Sequence, residues 1–503
     1  MNVKDIIKLG IEGMSREELV SLIKALIAHI FTLEQKIEAL ERAKKNNSKN
    51  SSLPPSTDQK PEAPVQPDEK SDKQEKVTKA ANTYNRRQKT GRRPGGQKDH
   101  AGKTLTREQA EELLKDKDVT HRVVHIGKDN GGRYIVKYVV DIKVVPVVTE
   151  IRIHPDTNGK VVIPPELRSD VTYGLEIKAL SILLFGQHVV AIDRIGELFS
   201  TLTRGRIHPS HGSIYKFCQI FSGACEPEIA SIKQKLLASR NMYSDATNVT
   251  TNGHRSYIRN FSTAEAVLYV PMQRKTLKAL QAIDVLVAFM GVLVHDHETA
   301  LYHFGSGHAE CIAHLLRYLI KNTQETGNNW SQALYDLFCA VLHWKHICQS
   351  QDMTGFNAEA LSLISETYDR IIAEGRRQNL TTEGEIARKE ERRLLNRLEK
   401  YKDNHLLFAW DFSVEFTNNM SERDLRKCKG RQKMAGGFRT EAGKALYCRM
   451  MSIIETAKRK GEDLLVCIKP KSCIIATQIP PRLSGYHWSS RPSLLTSVLS
   501  SIP

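Results

Sequence analysis

Two aspartates stand where a chain could use them for metal chemistry. Asp245 lies in NMYSDATNV after a short strand-like start, and Asp296 ends the apolar run from Val285 to Val294, interrupted only by Gly291. A buried strand that stops at an acid presents its carboxylate at the C-terminal edge of a sheet, where open sheets keep their sites. Two carboxylates side by side are hard oxygen donors that suit magnesium or manganese. A third acid from a later helix would complete a site for two ions, suited to in-line attack at phosphorus. Glu415, Glu422 and Asp424 are the candidates, all within DFSVEFTNNMSERDLRKCKGRQK. Asn418, Asn419 and Ser421 can cap a helix there, which puts Glu422 in its first turn. Spacing alone leaves the three open.

For Asp245 and Asp296 to converge, their strands must be neighbours. HRSYIRNF and AVLYVPM read as two further strands after the Asp245 block, with polar turns at TTNGH and STAE, and RKTLKALQAI reads as a helix before the Asp296 strand. Three strands, a helix and a strand, with acids on the first and fourth strands, is the order of an RNase H-like sheet, where those two strands lie side by side. The expected fold class is multidomain, with an α/β catalytic core at residues 236–460 whose mixed sheet carries a helical insertion at 321–406. That insertion, with ETYDRIIAEGRRQN and EERRLLNRLEKYKD, pushes the third acid far downstream of the second.

Other segments serve the core. In residues 1–45, Leu19, Leu26, Leu33 and Leu40 alternate with Ile23, Ile30 and Ile37 in strict heptads. Isoleucine at a and leucine at d favour a parallel two-stranded coiled coil, so a homodimer or larger assembly is expected. Residues 46–104 are polar and proline-rich, the composition of a disordered linker. Its end concentrates Arg86, Arg87, Arg92, Arg93 and Lys98 around glycines, a pattern able to neutralise phosphates and enter a minor groove. Residues 105–170 open with the helix REQAEELLKDK and continue in Val- and Ile-rich stretches, read as a small β-rich module. Residues 171–235 read as helices, the last two arranged like a helix-turn-helix for DNA. The tail, 461–503, has no clear pattern.

Composition narrows the partners. The formal charge of +17 and pI of about 9.3 point to a polyanion, nucleic acid first. No run of 18 apolar residues suggests a membrane span, and MNVKDIIKLG lacks the apolar core of a signal peptide. A cytoplasmic, nucleoid-associated protein without a membrane partner is expected. Nine scattered cysteines form no C-x-x-C pair, which argues against disulfides and thiolate zinc fingers.

Six ordered blocks carry a resemblance. SKNSSLPPSTD with GRRPGGQKDHAGKTL, VTYGLEIKALSILLFGQHVVAIDRIGELFSTL, SDATNVTTNGHRSYIRNFST, GVLVHDHETALYHF with CIAHLLR, FTNNMSERDLR, and GRQKMAGGFRTEAGKALYCRMMSIIETAKRKG resemble the transposases of the insertion sequence 66 family. The resemblance runs from the zipper to about Gly461. It implies a DDE enzyme whose triad is Asp245, Asp296 and Glu422, and so selects Glu422 over Glu415. It also implies two magnesium or manganese ions, nicking of element ends, and joining of 3′-hydroxyls to target DNA. Terminal inverted repeats, target DNA and accessory proteins of the element would be the partners. His314 and Arg317 of C-x-A-H-x-x-R, and Asn419 and Arg423 of N-N-x-x-E-R, are candidate neighbours of the site. Arg426, Lys429, Arg431 and Lys433 beyond them are candidate DNA contacts. The sequence departs from the family in three places. The cysteines of its usual zinc module near residues 105–165 are missing, so no structural zinc is expected. D-A-T replaces D-E-T at Asp245, and the tail differs. A catalytically decayed, DNA-binding descendant is the alternative, and a structural coiled-coil protein that binds RNA a third reading.

Overall fold

The computed structural model describes residues 105–116, 119–126, 135–155, 157–469 and 471. The zipper from Leu19 to Leu40 and the basic cluster Arg86, Arg87, Arg92, Arg93 and Lys98 lie outside the described residues.

Five strands form one sheet in the order β3-β2-β1-β4-β5. Strands β1 (Asn241–Thr251), β2 (His254–Ser262) and β3 (Val267–Met272) make an antiparallel meander. The chain then returns to the other side of β1, where β4 (Val292–His295) runs parallel to it and β5 (Gly307–Glu310) runs parallel to β4. Side chains alternate across this sheet. Met242 and Leu293 face one apolar cluster, while Tyr243 and Val294, the next residues, face the other.

The first cluster is roofed by helices from both ends of the chain. Before the sheet come α1 (Arg107–Leu113), which contributes no residue to this cluster, and α2 (Leu175–Gly186), α3 (Ile192–Leu202), α4 (His211–Ala224) and α5 (Glu226–Leu237), which do. The crossover from β3 to β4 holds α6 (Leu277–Gln281) and α7 (Asp284–Ala288). The second cluster is capped by the insertion: α8 (Ile312–Thr326), α9 (Trp330–Ser350), α10 (Ala358–Asn379), α11 (Glu385–Lys400) and α12 (Lys402–Trp410). Then follow α13 (Asn419–Ala435), α14 (Glu441–Arg459) and α15 (Leu464–Ile468). Helix α14 is the main prop of the first cluster, burying Leu446, Tyr447, Met450, Met451, Ile453 and Ile454 against β3 and α4.

The insertion helices are keyed together by a buried carboxylate. Glu391 on α11 accepts hydrogen bonds from Asn322, Asn328, Trp330, Asn379 and Thr382. Burial works against its charge, but these donors hold its pKa below the usual value.

Sequence expectations for the Asp296 strand, the helix before it and the β-rich module need correction here. The apolar run from Val285 to Val294 is not one strand: Asp284–Ala288 is helical and only Val292–His295 pairs in the sheet. Gly291 marks the break. A Cβ there would lie 2.4 Å from the Arg240 carbonyl, which accepts the amide of Val292 instead. The helix RKTLKALQAI likewise shrinks to Leu277–Gln281. The last correction concerns the β-rich module at 105–170: between Thr120 and Pro164 the described residues contain no strand. Val123, Ile126, Val139 and Val148 are exposed, so among the described residues no second layer covers them.

Candidate active site

The sheet places Asp245 and Asp296 level with each other just beyond the β1–β4 ladder. Its last parallel partners are Tyr243 and Val294, and the aspartates stand two residues further along each chain. Both line a cleft of about 290 Å³ that also includes Ser244, Lys275, Glu298 and Leu301. Asp245 is half-buried, its amide donates to Asn260 Oδ1 (3.2 Å), and its Oδ1 accepts the Ala246 amide (2.6 Å). Burial first, then the negative charge of Asp296, pushes its pKa up from 3.8 to about 6, against the pull of the Ala246 amide, Lys275 and Lys429.

Asp296 sits between two fixed histidines. His295 is fully buried, and burial with the neighbouring His308 lowers its pKa to about 3, so it is neutral. His297 has φ of +58°, a left-handed conformation that is costly for a side chain with a Cβ. Its Nδ1 lies 2.6 Å from Glu310 Oε1, which also accepts from Tyr302. The other oxygen of Glu310 accepts from Arg397 of α11 and lies 3.3 Å from His405 Nε2 of α12. Burial opposes the charge of Glu310, but these partners hold it well below the carboxylate range. The strained turn that aims Asp296 is thereby tied to the helical insertion.

Helix α13 brings Glu422. Its first turn is pinned to β2: Ser421 Oγ donates to Asn260 Oδ1 (2.6 Å), and Asn260 Nδ2 donates to the Ser421 carbonyl (3.2 Å). Its far end is pinned to β1, where Gln432 accepts the Thr250 amide (2.7 Å) and donates to Thr250 Oγ1 (3.1 Å). Gly437, at φ of +119°, lets the backbone pass so closely that a Cβ would lie 2.3 Å from the Thr250 carbonyl.

His314, in the first turn of α8, stands between the second and third acids. Its Nδ1 is 3.4 Å from Asp296 Oδ1 and 3.7 Å from Glu422 Oε1. Neither approach has hydrogen-bond geometry, and both His314 Nδ1 and Glu422 Oε1 are buried without a hydrogen-bond partner. Burial acts to lower the His314 pKa, but Asp296 and Cys311 outweigh it and raise it to about 10. Ligating atoms of Asp296, Cys311, His314 and Glu422 all lie within 4.8 Å of one another. Carboxylates gathered around two unpartnered buried polar atoms fit a divalent cation.

The other acids are committed elsewhere. Asp424 Oδ2 accepts from Ser262 (2.6 Å) and Arg459 (2.5 Å), and Glu415 is exposed in the loop before α13. Of the expected neighbours, Arg317 lies on α8 one turn beyond His314, while Asn419 and Arg423 are exposed at the start of α13. Asn418 is the asparagine that reaches inward: fully buried, it donates from Nδ2 to Asp296 Oδ1 (3.2 Å) and to the Ser244 carbonyl (3.0 Å). The N-N doublet held that signal, one residue before the exposed member. Arg426, Lys429 and Lys433 are exposed on α13, as DNA contacts must be. Arg431 is not, and that expectation is corrected. It is buried with its guanidinium 4.2 Å from the Phe185 ring centroid and close to the rings of Tyr447 and Phe438. It falls on the helix face of Leu425 and Cys428, which packs on the core.

No helix among the described residues is long and apolar enough to cross a membrane. No curated protein matches the chain. The family model described as Transposase IS66 family matches residues 173–445. That span takes in the whole sheet, the insertion and each residue of the site, and is more than half of the 503 residues. On that match the chain belongs to the IS66 family of transposases.

Proposed function

We propose that the protein is a metal-dependent DNA transposase that cleaves at the ends of a bacterial insertion sequence and joins the 3′-hydroxyls to target DNA. The observation that carries this reading is the meeting of Asp245 and Asp296 in one cleft with Glu422 one imidazole away. In this reading the three acids hold two divalent ions, magnesium or manganese. When bound, the ions activate the attacking water or hydroxyl and offset the charge building on the phosphoryl oxygens.

The remaining work falls to the chain. Asn418 fixes the direction of Asp296, and His314 stands between it and Glu422. Lys275 and Lys429 place positive charge near Asp245, where a phosphate would approach. Arg426, Lys429 and Lys433 follow Glu422 at spacings of four, three and four residues, so one face of α13 leads from the acid into a basic track for DNA. Arg317, one turn beyond His314, and Arg423, next to Glu422, add further positive charge. The zipper pairs two copies, and the segment Arg86–Lys98 with helices α3 and α4 engages the terminal repeats. Accessory proteins of the element join that assembly in the cytoplasm, at the nucleoid.

Strand transfer with magnesium on the cognate element ends tests the reading. Asp296→Ala and Glu422→Gln are expected to lose at least about a hundredfold in rate while still binding the ends. Equal activity in wild type and Asp296→Ala would sink the assignment. End binding with no transfer by the wild type would instead mark a decayed DNA-binding descendant. Sedimentation of Leu26→Pro against wild type tests the zipper, since a wild-type monomer is incompatible with it.

A further inference from the structure

We propose that Asp296, Cys311, His314 and Glu422 form a four-donor site for a borderline-soft divalent cation, zinc above all, whose occupation withdraws two acids from the magnesium reaction. The metal site rests on geometry alone; its effect on catalysis rests on the function proposed above.

The two spacings around His314 suit a tetrahedral ion. Bonds of about 2.0–2.3 Å to zinc put tetrahedral donors roughly 3.3–3.7 Å apart. Octahedral magnesium, with bonds of about 2.1 Å, puts neighbouring donors roughly 3 Å apart. The two distances around His314 are 3.4 and 3.7 Å, and no pair in the set exceeds 4.8 Å. The donors also match: imidazole and thiolate suit zinc, and magnesium has little affinity for either. Asp245, which lines the cleft with Asp296, is outside the set.

The supporting contacts are those of a built site. Cys311 is the residue before α8 and His314 lies in that helix's first turn, so one rigid element carries both soft donors. Cys311 is buried, and its Sγ accepts the Asn418 amide at 3.2 Å. The Asn418 side chain donates to Asp296 Oδ1, so one residue orients two ligands. His314 Nδ1 and Glu422 Oε1 are buried without hydrogen-bond partners and only 3.7 Å apart. Binding sends the thiol proton of Cys311 and any proton on His314 Nδ1 to solvent, leaving thiolate and neutral imidazole on the ion.

Cobalt titration of the full-length protein, with the metal ion alone, tests the site. One equivalent of Co²⁺ is expected to give the intense visible bands of tetrahedral cobalt and a near-ultraviolet sulfur-to-cobalt band, both erased by one equivalent of zinc. Cys311→Ser should lose the sulfur band, and His314→Gln should weaken binding at least tenfold. Asp245→Ala should keep both signals. Far-ultraviolet circular dichroism of each variant checks folding. A wild type without the sulfur band, or a Cys311→Ser variant that keeps it, overturns the site. In magnesium-dependent strand transfer, low zinc should inhibit the wild type, and Cys311→Ser should need at least tenfold more. Zinc binding without inhibition overturns the regulatory half. A wild type inactive in magnesium alone counts against the transposase reading and leaves the cobalt result standing.

Discussion

Replacing Asp245 by asparagine should stabilise the protein, and only above a defined pH. The folded chain raises the Asp245 pKa from 3.8 to about 6, through burial and the charge of Asp296. Ionising it is therefore harder in the folded than in the unfolded state. The resulting stabilisation is complete below about pH 4 and is lost as pH rises through about 6. At about 1.4 kcal/mol per pH unit, the difference is worth roughly 3 kcal/mol. The amide of the Asp245→Asn variant has the shape of the protonated acid and no charge to bury, so the variant escapes that loss. Urea denaturation of wild type and Asp245→Asn, in chelator, at intervals from pH 4 to pH 8 measures it. The stability gap should widen in favour of the variant by roughly 2–3 kcal/mol across that range, with most of the change below the folded-state pKa of about 6 and little above it. Differences in packing shift the two curves by a constant and cancel in the slope. Saturating magnesium should narrow the gap at pH 8, because a bound cation stabilises the wild-type carboxylate. Parallel curves from pH 4 to pH 8 would refute the burial of an ionising acid at this position.

Two further outcomes follow from the geometry. Glu310→Gln removes the carboxylate that joins His297, Tyr302 and Arg397, and leaves the largely buried Arg397 without this counter-charge. A loss of about 3–5 kcal/mol is expected, seen as a melting-point fall of at least about 6 °C, and a shift under about 2 °C would count against it. Lys429→Ala and Lys433→Ala should each weaken DNA binding and flatten its salt dependence by about one charge. Arg431→Leu should leave the salt slope unchanged, and a slope change of one charge for it alone would contradict its burial.

The sequence made the sheet legible because its signals are local. Polar turns at Asn252–Gly253 and Ser262–Glu265 separate three strand-like segments, and β-branched and aromatic residues mark the strands. Placing Asp245 and Asp296 side by side needed only that order. The apolar run before Asp296 misled because short buried helix and short buried strand share one composition, and periodicity cannot separate them. Arg431 misled for a related reason: a charge is read as solvent-facing until the helix face is known, and three aromatic rings from distant segments gave it a buried surface. Asn418 and Asn419 differ only in which side of the helix start they fall. Glu310 could not be read as a hub, since its partners come from residues 297, 302, 397 and 405 and meet only in three dimensions.

The insertion leaves and rejoins the core at one point. Cys311 and Asn418 are 107 positions apart, yet their atoms touch, and the Ile312 amide donates to the Phe416 carbonyl. Helices α8 to α12 thus leave and return beside the site, and Arg397 and His405 tie them to the sheet again through Glu310. Their length does not set the distance between the second and third acids; the closing contacts do. A loop at the far end of the excursion could be lengthened without moving Glu422. A push on the near end, at Cys311, His314 or Asn418, would be felt at once by Asp296.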